Sequence, residues 1–394
     1  MTSPSLSAEP SITHVVELTP TGRAAVAVVL VDGPNAVRAV DQCFTATSGR
    51  PLACVPVNRI VVGRWQGPGG EELVVCRRGE ERVEVHSHGG VAAVRAVVDA
   101  LLAEGCRETA WHDWLRLSSA DSMQAAAQIA LADALTARTA AILLDQLNGA
   151  LAAACHEAIA GITAENWPLA AELVGQLLHR RDLGLHLTTP WRVVLAGPPN
   201  VGKSCLINAL AGYERAIVSP MPGTTRDVVT LATAIDGWPV ELADTAGLRA
   251  TDDELESAGV QLAEATLASA DLVIMVCDAT NQAADVGSRV EGRGSSAVAP
   301  SRIIHARNKI DLVSASEQRS AVSGTAIRTS ALTGEGIEAL AAAIGRSLVP
   351  NPPAGGVAIP FTPPHVESLE VARNAIERRH AAAACEALQS LLAK

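Results

Sequence analysis

The chain has 394 residues, of which 48% are hydrophobic and only 2% aromatic, and its formal net charge is −11. This length predicts two or three domains, and the acidic balance does not favour a nucleic-acid partner through overall charge. The N-terminus lacks the basic start and apolar core of a signal peptide, and no apolar run is long enough to cross a bilayer, so we expect a cytoplasmic protein without a membrane partner.

Residues 1–115 combine strand-like and helix-like patterns and are expected to form a small α/β domain. The apolar runs RAAVAVVLV, residues 23–31, and RIVVGRW, residues 59–65, predict two buried strands. The stretch GGVAAVRAVVDALLAEGC, residues 89–106, has apolar residues at helical spacing, and Gly105 predicts the C-terminal stop of that helix.

The rest of the chain predicts an α/β domain inserted in a helical domain. Residues 116–188 are rich in Ala and Leu without β-branched runs, which favours long helices, and residues 350–394 contain a second, shortened helical part. Between them, residues 189–349 alternate strand and helix patterns, which is typical of a doubly wound domain with a mostly parallel sheet.

The stretch WRVVLAGPPNVGKSCLINAL predicts a phosphate-binding loop between a strand and a helix. Gly197, Gly202, Lys203 and Ser204 satisfy the pattern G-x-x-x-x-G-K-[ST]. The glycines let backbone N–H groups surround a phosphate, Lys203 supplies a positive charge to the β- and γ-phosphates, and Ser204 is a candidate Mg²⁺ ligand. The flanking strand and helix argue against the alternative of an ordinary Gly-rich turn.

Two further motifs predict the groups that surround the γ-phosphate. In PGTTRD, residues 222–227, Thr225 is a candidate to complete the Mg²⁺ shell. In DTAG, Asp244 follows an apolar strand and is placed to hold Mg²⁺ through water, while Gly247 offers a backbone N–H to the γ-phosphate.

The motif NKID, residues 308–311, follows the predicted strand SRIIHAR and identifies the base. The Asp311 carboxylate can accept hydrogen bonds from the ring N–H and the exocyclic amine of guanine, whereas adenine offers no such pair. Ser330 and Ala331 would line the base from the other side. The motifs therefore predict a protein that binds GTP and Mg²⁺.

GPPNVGKS, AIVSPMPGTTRD, DTAGLR, NKID and SAL together resemble the TrmE–Era–EngA branch of translation-associated GTPases. The run DTAGLRATDDELESAGV, with Glu256 at its centre, is similar to the MnmE (TrmE) tRNA-modification GTPase family, as is the order of the predicted domains. TPTGRAAVAVVLVDG and GEERVEVHSHGG resemble that family's N-terminal stretches. The resemblance assigns the GTP site to Asn200, Val201, Gly202, Lys203, Ser204, Cys205, Ser219, Thr224, Thr225, Asp244, Thr245, Ala246, Gly247, Asn308, Lys309, Asp311, Ser330, Ala331 and Leu332.

The same resemblance implies a K⁺-stimulated mechanism of GTP hydrolysis. No glutamine follows DTAG, where Leu248 stands, so a water-positioning side chain is absent at that position. In the family K⁺ takes the place of an arginine finger, and a glutamate orients the attacking water. Glu256 is the matching catalytic residue in this sequence. The K⁺ contacts fall on Asn200, Ser219, Met221 and Thr224.

The family resemblance also implies partners. It predicts a homodimer that closes with GTP, a flavin-dependent partner, and tRNA whose wobble uridine is modified with a folate-derived carbon. Glu84 matches a folate-contacting glutamate of the family, whereas Leu30 stands where the family has a folate-contacting arginine. In the family a C-terminal Cys is followed closely by Gly-Lys, whereas this sequence ends CEALQSLLAK.

Two other functions stay open on the sequence alone. One is a diverged GTP-binding switch that has lost folate and tRNA chemistry and gates the assembly of another complex. The other is a ribosome-assembly GTPase, although the RNA-binding domain such proteins add is not found. His86 and His88 share a strand face and are either metal ligands or part of the fold. None of the eight cysteines forms a C-x-x-C pair, so we expect neither disulfides nor zinc.

Overall fold

The computed structural model describes residues 12–20, 22, 24–66, 70–119, 121–213, 230–244, 267, 269–281, 302–313 and 326–392. The chain forms two compact units, Met1–Ala120 and Asp121–Lys394, which are called unit 1 and unit 2. Among the described helices, none combines the length and the apolar character that crossing a membrane requires.

Unit 1 contains a seven-stranded sheet in the order β3-β4-β5-β6-β2-β1-β7. Its strands are β1 His14–Glu17, β2 Val26–Asp32, β3 Phe44–Ala46, β4 Ile60–Trp65, β5 Glu72–Arg77, β6 Arg82–His88 and β7 Arg107–Glu108. Its helices are α1 Ala36–Cys43, α2 Val91–Ala103 and α3 Trp111–Ser118. The described core lies between one sheet face and helices α1 and α2, and Gly105 follows the end of α2 with a φ of +85°, as predicted.

On the sheet face of unit 1 that points away from helices α1 and α2, one prediction is wrong. The run 59–65 does form β4, but it is not a buried strand, because Ile60 is 68% and Val62 is 46% exposed. Side chains alternate between the two faces of a strand, so the apolar residues of β4 are divided between the core and this second face. We call it the open face.

Unit 2 begins with helices, and these are shorter than the sequence predicts. The described helices of unit 2 are α4 Ser122–Ala132, α5 Ala137–Leu147, α6 Ala150–Thr163, α7 Trp167–His179, α8 Arg181–Leu185, α9 Lys203–Tyr213, α10 Ile337–Leu348, α11 Pro363–Glu377 and α12 Ala381–Leu392. Thr136 starts α5 with a capping box, and Gly149, with a φ of +96°, interrupts the path before α6.

The helical segments on either side of the middle block share one core. Helix α11 packs against α7, and α12 packs against α6. Leu143 and Leu177 lie in the same buried cluster as Leu369 and Leu388, although the whole middle block separates the two segments in the sequence. The domain boundaries expected from the sequence, 116–188, 189–349 and 350–394, stay a prediction.

The middle block of unit 2 has a six-stranded sheet in the order β13-β12-β11-β8-β10-β9. The strands are β8 Trp191–Ala196, β9 Thr230–Ile235, β10 Trp238–Asp244, β11 Leu272–Asp278, β12 Ile303–Asn308 and β13 Ile327–Arg328. All described pairings are parallel except that of β9 with β10. The predicted α/β fold, with a P-loop domain and a mostly parallel sheet, is confirmed.

The β9–β10 hairpin is attached to helix α5 at its turn. Asp236 and Gly237 form the turn with φ values of +51° and +72°. The Thr136 hydroxyl donates to the Gly237 carbonyl at 2.7 Å. Arg138 donates to the Asp236 carbonyl and pairs with its carboxylate at 2.9 Å, while its guanidinium lies 4.7 Å from the centre of the Trp238 ring. We call these contacts the hairpin anchor.

Candidate functional site

The predicted nucleotide-binding residues of unit 2 gather at one edge of its sheet. Strands β8, β10, β11, β12 and β13 are parallel, so their carboxyl ends meet at that edge. The chain runs from β8 to β10 on one side and then to β11 on the other, which makes β8 a topological switch point. Open α/β sheets bind their ligands in the crevice outside such a point.

The phosphate loop between β8 and α9 requires unusual backbone conformations and close approaches. Gly197 has a φ of +145°, and a Cβ there would lie 2.2 Å from the carbonyl oxygen of Val276. Asn200 has a φ of +64° although it is not glycine. A Cβ on Gly202 would lie 2.5 Å from Nδ2 of Asn308. Only glycine fits at these two approaches, which explains both glycines of the motif.

Lys203 lies in the loop with only 5% of its surface exposed. Its ammonium donates to the carbonyl oxygens of Gly197 at 3.1 Å and Pro198 at 2.9 Å. A buried ammonium requires such partners because the loss of hydration otherwise disfavours the charge. The same ammonium can exchange these carbonyls for phosphate oxygens, which share a net negative charge.

Ser204 and Asp244 form the second phosphate-side contact. The Ser204 hydroxyl donates to Oδ2 of Asp244 at 2.5 Å. Asp244 ends β10 opposite Leu195 of β8, so the sheet register places the carboxylate beside the first turn of α9. A hydroxyl oxygen and a carboxylate are hard oxygen ligands, which Mg²⁺ prefers. These two residues therefore fit a magnesium ion.

Asn308 connects the base side of the site with the phosphate loop. It is 1% exposed at the end of β12. Its Nδ2 donates to the Val201 carbonyl at 2.9 Å, and its Oδ1 accepts from the backbone N–H of Ala331 at 3.1 Å. One side chain thus joins the loops after β8, β12 and β13, and a buried amide with satisfied donors and acceptors rigidifies them.

Asp311 and Ser330 are bonded directly to each other at the predicted base site. The Ser330 hydroxyl donates to Oδ1 of Asp311 at 2.5 Å. This bond holds the carboxylate that would read guanine. Ala331 and Leu332 follow on the same loop, and Leu332 is 85% exposed. An exposed apolar side chain at this position is available to cover a planar base.

The structure adds Asp278, which the sequence analysis missed. Asp278 ends β11 and accepts a hydrogen bond from the Lys309 ammonium at 2.7 Å. Burial alone would raise the pKa of Asp278, but hydrogen bonds from Lys309 and Thr280 outweigh it and hold the pKa below its usual value. The available signal was positional, since Asp278 ends the apolar run LVIMVCD in the same way that Asp244 ends VELAD.

The remaining predicted site residues lie outside the described part of the chain. They are Ser219, Met221, Thr224, Thr225, Thr245, Ala246, Gly247 and Glu256. Cys205 is described, and its thiol is exposed at the start of α9.

Comparison with known proteins identifies the family. Residues 192–309 match a family described as 50S ribosome-binding GTPase, and residues 13–111 match GTP-binding protein TrmE N-terminus. The protein named tRNA modification GTPase MnmE from Symbiobacterium thermophilum is 35% identical over 372 residues, covering 82% of this chain and 80% of the relative. Its namesake from Methylorubrum populi is 35% identical over 400 residues, covering 91% and 85%. The chain belongs to the MnmE family of tRNA modification GTPases.

Membership in the MnmE family confirms the predicted GTPase that acts on GTP. Among solved structures, a variant of Aquifex aeolicus Era bound to GDP.AlF4- is 28% identical, covering 42% of this chain and 57% of that chain with a TM-score of 0.30. That partial similarity adds nothing to the family assignment.

The folate position implied by the MnmE resemblance lies on the open face of unit 1. Leu30 of β2 is 3% exposed and pairs in register with Glu84 of β6. The Oε2 atom of Glu84 accepts from Nε of Arg78 at 2.9 Å and faces Nε2 of His86 at 3.3 Å. A buried aliphatic side chain offers no charge to a folate, and the glutamate is already paired. The residues present therefore do not fit a folate.

The two histidines of β6 have carboxylate neighbours on that face. His86 lies beside Glu84, and His88 pairs with Glu71. Within the described ranges, no group of three or more His, Cys, Asp or Glu side chains could hold a metal ion. All eight cysteines have free thiols, and burial raises the pKa of Cys155 to about 12.

Proposed function

We propose that this chain hydrolyses GTP with Mg²⁺ and K⁺ and couples the hydrolysis to modification of the tRNA wobble uridine, together with a flavin-dependent partner. The observation that supports this proposal best is the convergence of the phosphate loop, Ser204, Asp244 and Asp311 at one sheet edge in a member of the MnmE family. We expect the protein to act in the cytoplasm.

The phosphate side would act by charge neutralisation. When GTP binds, the Lys203 ammonium leaves the carbonyls of Gly197 and Pro198 for the β- and γ-phosphate oxygens. Backbone N–H groups of the loop and of the first turn of α9 would surround the β-phosphate. Ser204 and Asp244, together with Thr225, would hold Mg²⁺, which neutralises charge on the phosphate oxygens when bound.

The base side would select guanine. The Asp311 carboxylate accepts the ring N–H and the exocyclic amine of guanine, while Ser330 keeps its bond to the same carboxylate. Adenine would leave this carboxylate without those two donors, and a site built to hydrogen-bond a substrate N–H rejects a base that lacks it. Ala331 and Leu332 would lie against the base from the loop after β13.

The hydrolytic step would depend on K⁺ and a placed water. Asn200, held at a φ of +64° in the phosphate loop, would contribute a K⁺ contact together with Ser219, Met221 and Thr224. Glu256 would orient the water for attack on the γ-phosphorus. With GTP and K⁺ bound, two GTPase domains of a homodimer would close against each other.

Turnover measurements in K⁺ and in Na⁺ test this mechanism. We expect wild type to turn over GTP faster in K⁺ than in Na⁺. This difference between the two cations should be lost in Asn200→Ala. Turnover should be strongly reduced in Glu256→Ala. Glu254→Ala is the matched control, since it removes a carboxylate from the same acidic run. Equal turnover in Glu256→Ala and wild type would overturn the assigned role. Light scattering with a transition-state analogue tests closure, and a monomer in K⁺ would contradict the dimer.

The open face of unit 1 supports a second candidate function. Because buried Leu30 and paired Glu84 do not fit a folate, the chain is also a candidate for a GTP-dependent switch that gates assembly of another complex. Nucleoside analysis of tRNA from cells that lack the gene separates the two. Altered wobble uridines support the modification enzyme, and unchanged wobble uridines support the switch.

A further inference from the structure

The Asp278 carboxylate is fixed from two sides at the end of β11. Its Oδ1 accepts from the backbone N–H of Thr280 at 2.9 Å and from the Thr280 hydroxyl at 2.7 Å. Its Oδ2 accepts from the Lys309 ammonium at 2.7 Å. Three donors leave this carboxylate little freedom to rotate, so the end of the Lys309 side chain has a defined partner.

Lys309 lies beside the phosphate loop where it reaches Asp278. Its backbone adopts a left-handed conformation, with φ of +67°, at the start of the turn Ile310–Leu312 that carries Asp311. Its Cε lies 4.0 Å from the position that a Cβ on Gly202 would occupy. The side chain therefore runs from the base-reading turn past Gly202 to the neighbouring strand β11.

This extended path gives the methylene groups of Lys309 a fixed place beside the predicted base site. The Lys309 side chain is 31% exposed and that of Asp278 is 20% exposed, so the pair is partly shielded from water. A lysine without a partner samples many rotamers, and ordering it on ligand binding costs conformational entropy. An ion pair formed before the nucleotide arrives removes part of that cost.

We propose that Asp278 is a positioning residue for GTP binding, which holds Lys309 extended so that its methylene chain forms one wall of the guanine slot. The inference rests on the proposed function, because it assigns the base to Asp311. Asp278 does not touch the nucleotide and acts through Lys309. Its bonds to Thr280 shape the adjacent turn, which is the competing structural role.

The Asp278→Asn variant separates the two roles. The Thr280 donors require an oxygen acceptor, so the amide oxygen faces Thr280 and the amide N–H₂ faces the Lys309 ammonium. The turn is kept, and the ion pair is lost. Thr280→Val is the matched control, since it removes one bond to Asp278 and leaves the pair with Lys309. Lys309→Met removes the ammonium and keeps a flexible chain of similar length.

Affinity for a fluorescent GDP and for unlabelled GTP is measured by titration for wild type, each single variant and the Asp278→Asn/Lys309→Met double variant. We expect affinities about 5-fold weaker in Asp278→Asn and in Lys309→Met. The double variant should be no weaker than Lys309→Met alone, because Asp278 acts only through the ammonium. Thr280→Val should bind as wild type does.

Additive losses in the double variant, or wild-type affinity in Asp278→Asn, would overturn the positioning role. The affinity for inosine triphosphate (ITP) gives a further readout, since its base lacks the exocyclic amine that Asp311 would bind. Asp278→Asn should weaken GTP and ITP by the same factor, because Lys309 contacts the ring face. If Asp278→Asn does not fold, Asp278→Ser takes its place in the comparison of single and double variants, because serine keeps an acceptor for Thr280. A wild-type chain that binds no GTP would refute the proposed function itself, whereas additivity refutes only this inference.

Discussion

The nucleotide site of unit 2 and the open face of unit 1 hold their charged side chains in different ways. At the predicted nucleotide site, the charged groups lie at or just after strand ends and bond to loop carbonyls or to a hydroxyl, as Lys203 and Asp244 do. On the open face, Glu84 lies within a strand and is paired with Arg78, beside buried Leu30. Loops after strand ends can exchange partners for a ligand, whereas side chains within a sheet register are fixed by their neighbours.

The largest expected effect comes from Lys203→Ala. The variant removes the charge that the phosphate loop holds for the β- and γ-phosphates, so we expect GTP affinity to fall by at least about 100-fold. Titration with a fluorescent GTP analogue measures it. Glu84→Gln is the control from the other region and should leave GTP affinity unchanged. A nucleotide affinity that depended on Glu84 would break the comparison.

Asp311→Asn should exchange the preferred base. Xanthine has a carbonyl oxygen where guanine has its exocyclic amine, and an asparagine can donate to that oxygen and still accept the ring N–H. We expect GTP to bind about 100-fold more weakly and XTP to bind better than it does to wild type. Competition titrations with both nucleotides measure the change. Unaltered GTP preference would show that Asp311 does not read the base.

The exposed thiols of Cys205 and Cys54 allow the nucleotide site and unit 1 to be compared within one sample. Cys205 follows Ser204 in the predicted nucleotide site, whereas Cys54 lies in unit 1. At a GTP concentration ten times its dissociation constant, we expect alkylation of Cys205 to slow about 10-fold, and that of Cys54 to be unchanged. Mass spectrometry of iodoacetamide-treated protein gives both rates. Equal protection of both thiols would indicate a global effect of the nucleotide.

The smallest expected effect is the response to folate. We expect no binding of a formyl-folate up to millimolar concentration, because Leu30 offers no charge and Glu84 is paired. Calorimetric titration of wild type measures this, with Glu84→Gln alongside. Micromolar binding by wild type that Glu84→Gln abolishes would show that the open face does accept the ligand.

The shape of the phosphate loop could be predicted because its motif imposes backbone geometry. Gly197 and Gly202 are required by close approaches to Val276 and Asn308, so the sequence pattern and the loop determine each other. An apolar run of seven residues does not reveal that Ile60 and Val62 are exposed on one face, so the sequence misjudges β4. Asp278 was missed because a single aspartate after a strand has many structural uses.

The prediction of long helices was wrong for a related reason. Composition predicts helical character over residues 116–188, but the ends are set by single residues such as Thr136 and Gly149. A capping hydroxyl or a left-handed glycine changes the path without changing the average propensity of the segment. Such single residues determine where a helix ends, even where the composition of the segment favours a longer helix.

The hairpin anchor has a mechanical consequence for unit 2. Strand β10 delivers Asp244 to the phosphate side of the site, while the far end of the same strand begins at the turn held by Thr136 and Arg138. A strand is stiff along its length, because cross-strand hydrogen bonds on both sides resist sliding. A displacement of Asp244 along β10 would therefore strain the contacts that Thr136 and Arg138 make with the turn at the other end of that strand.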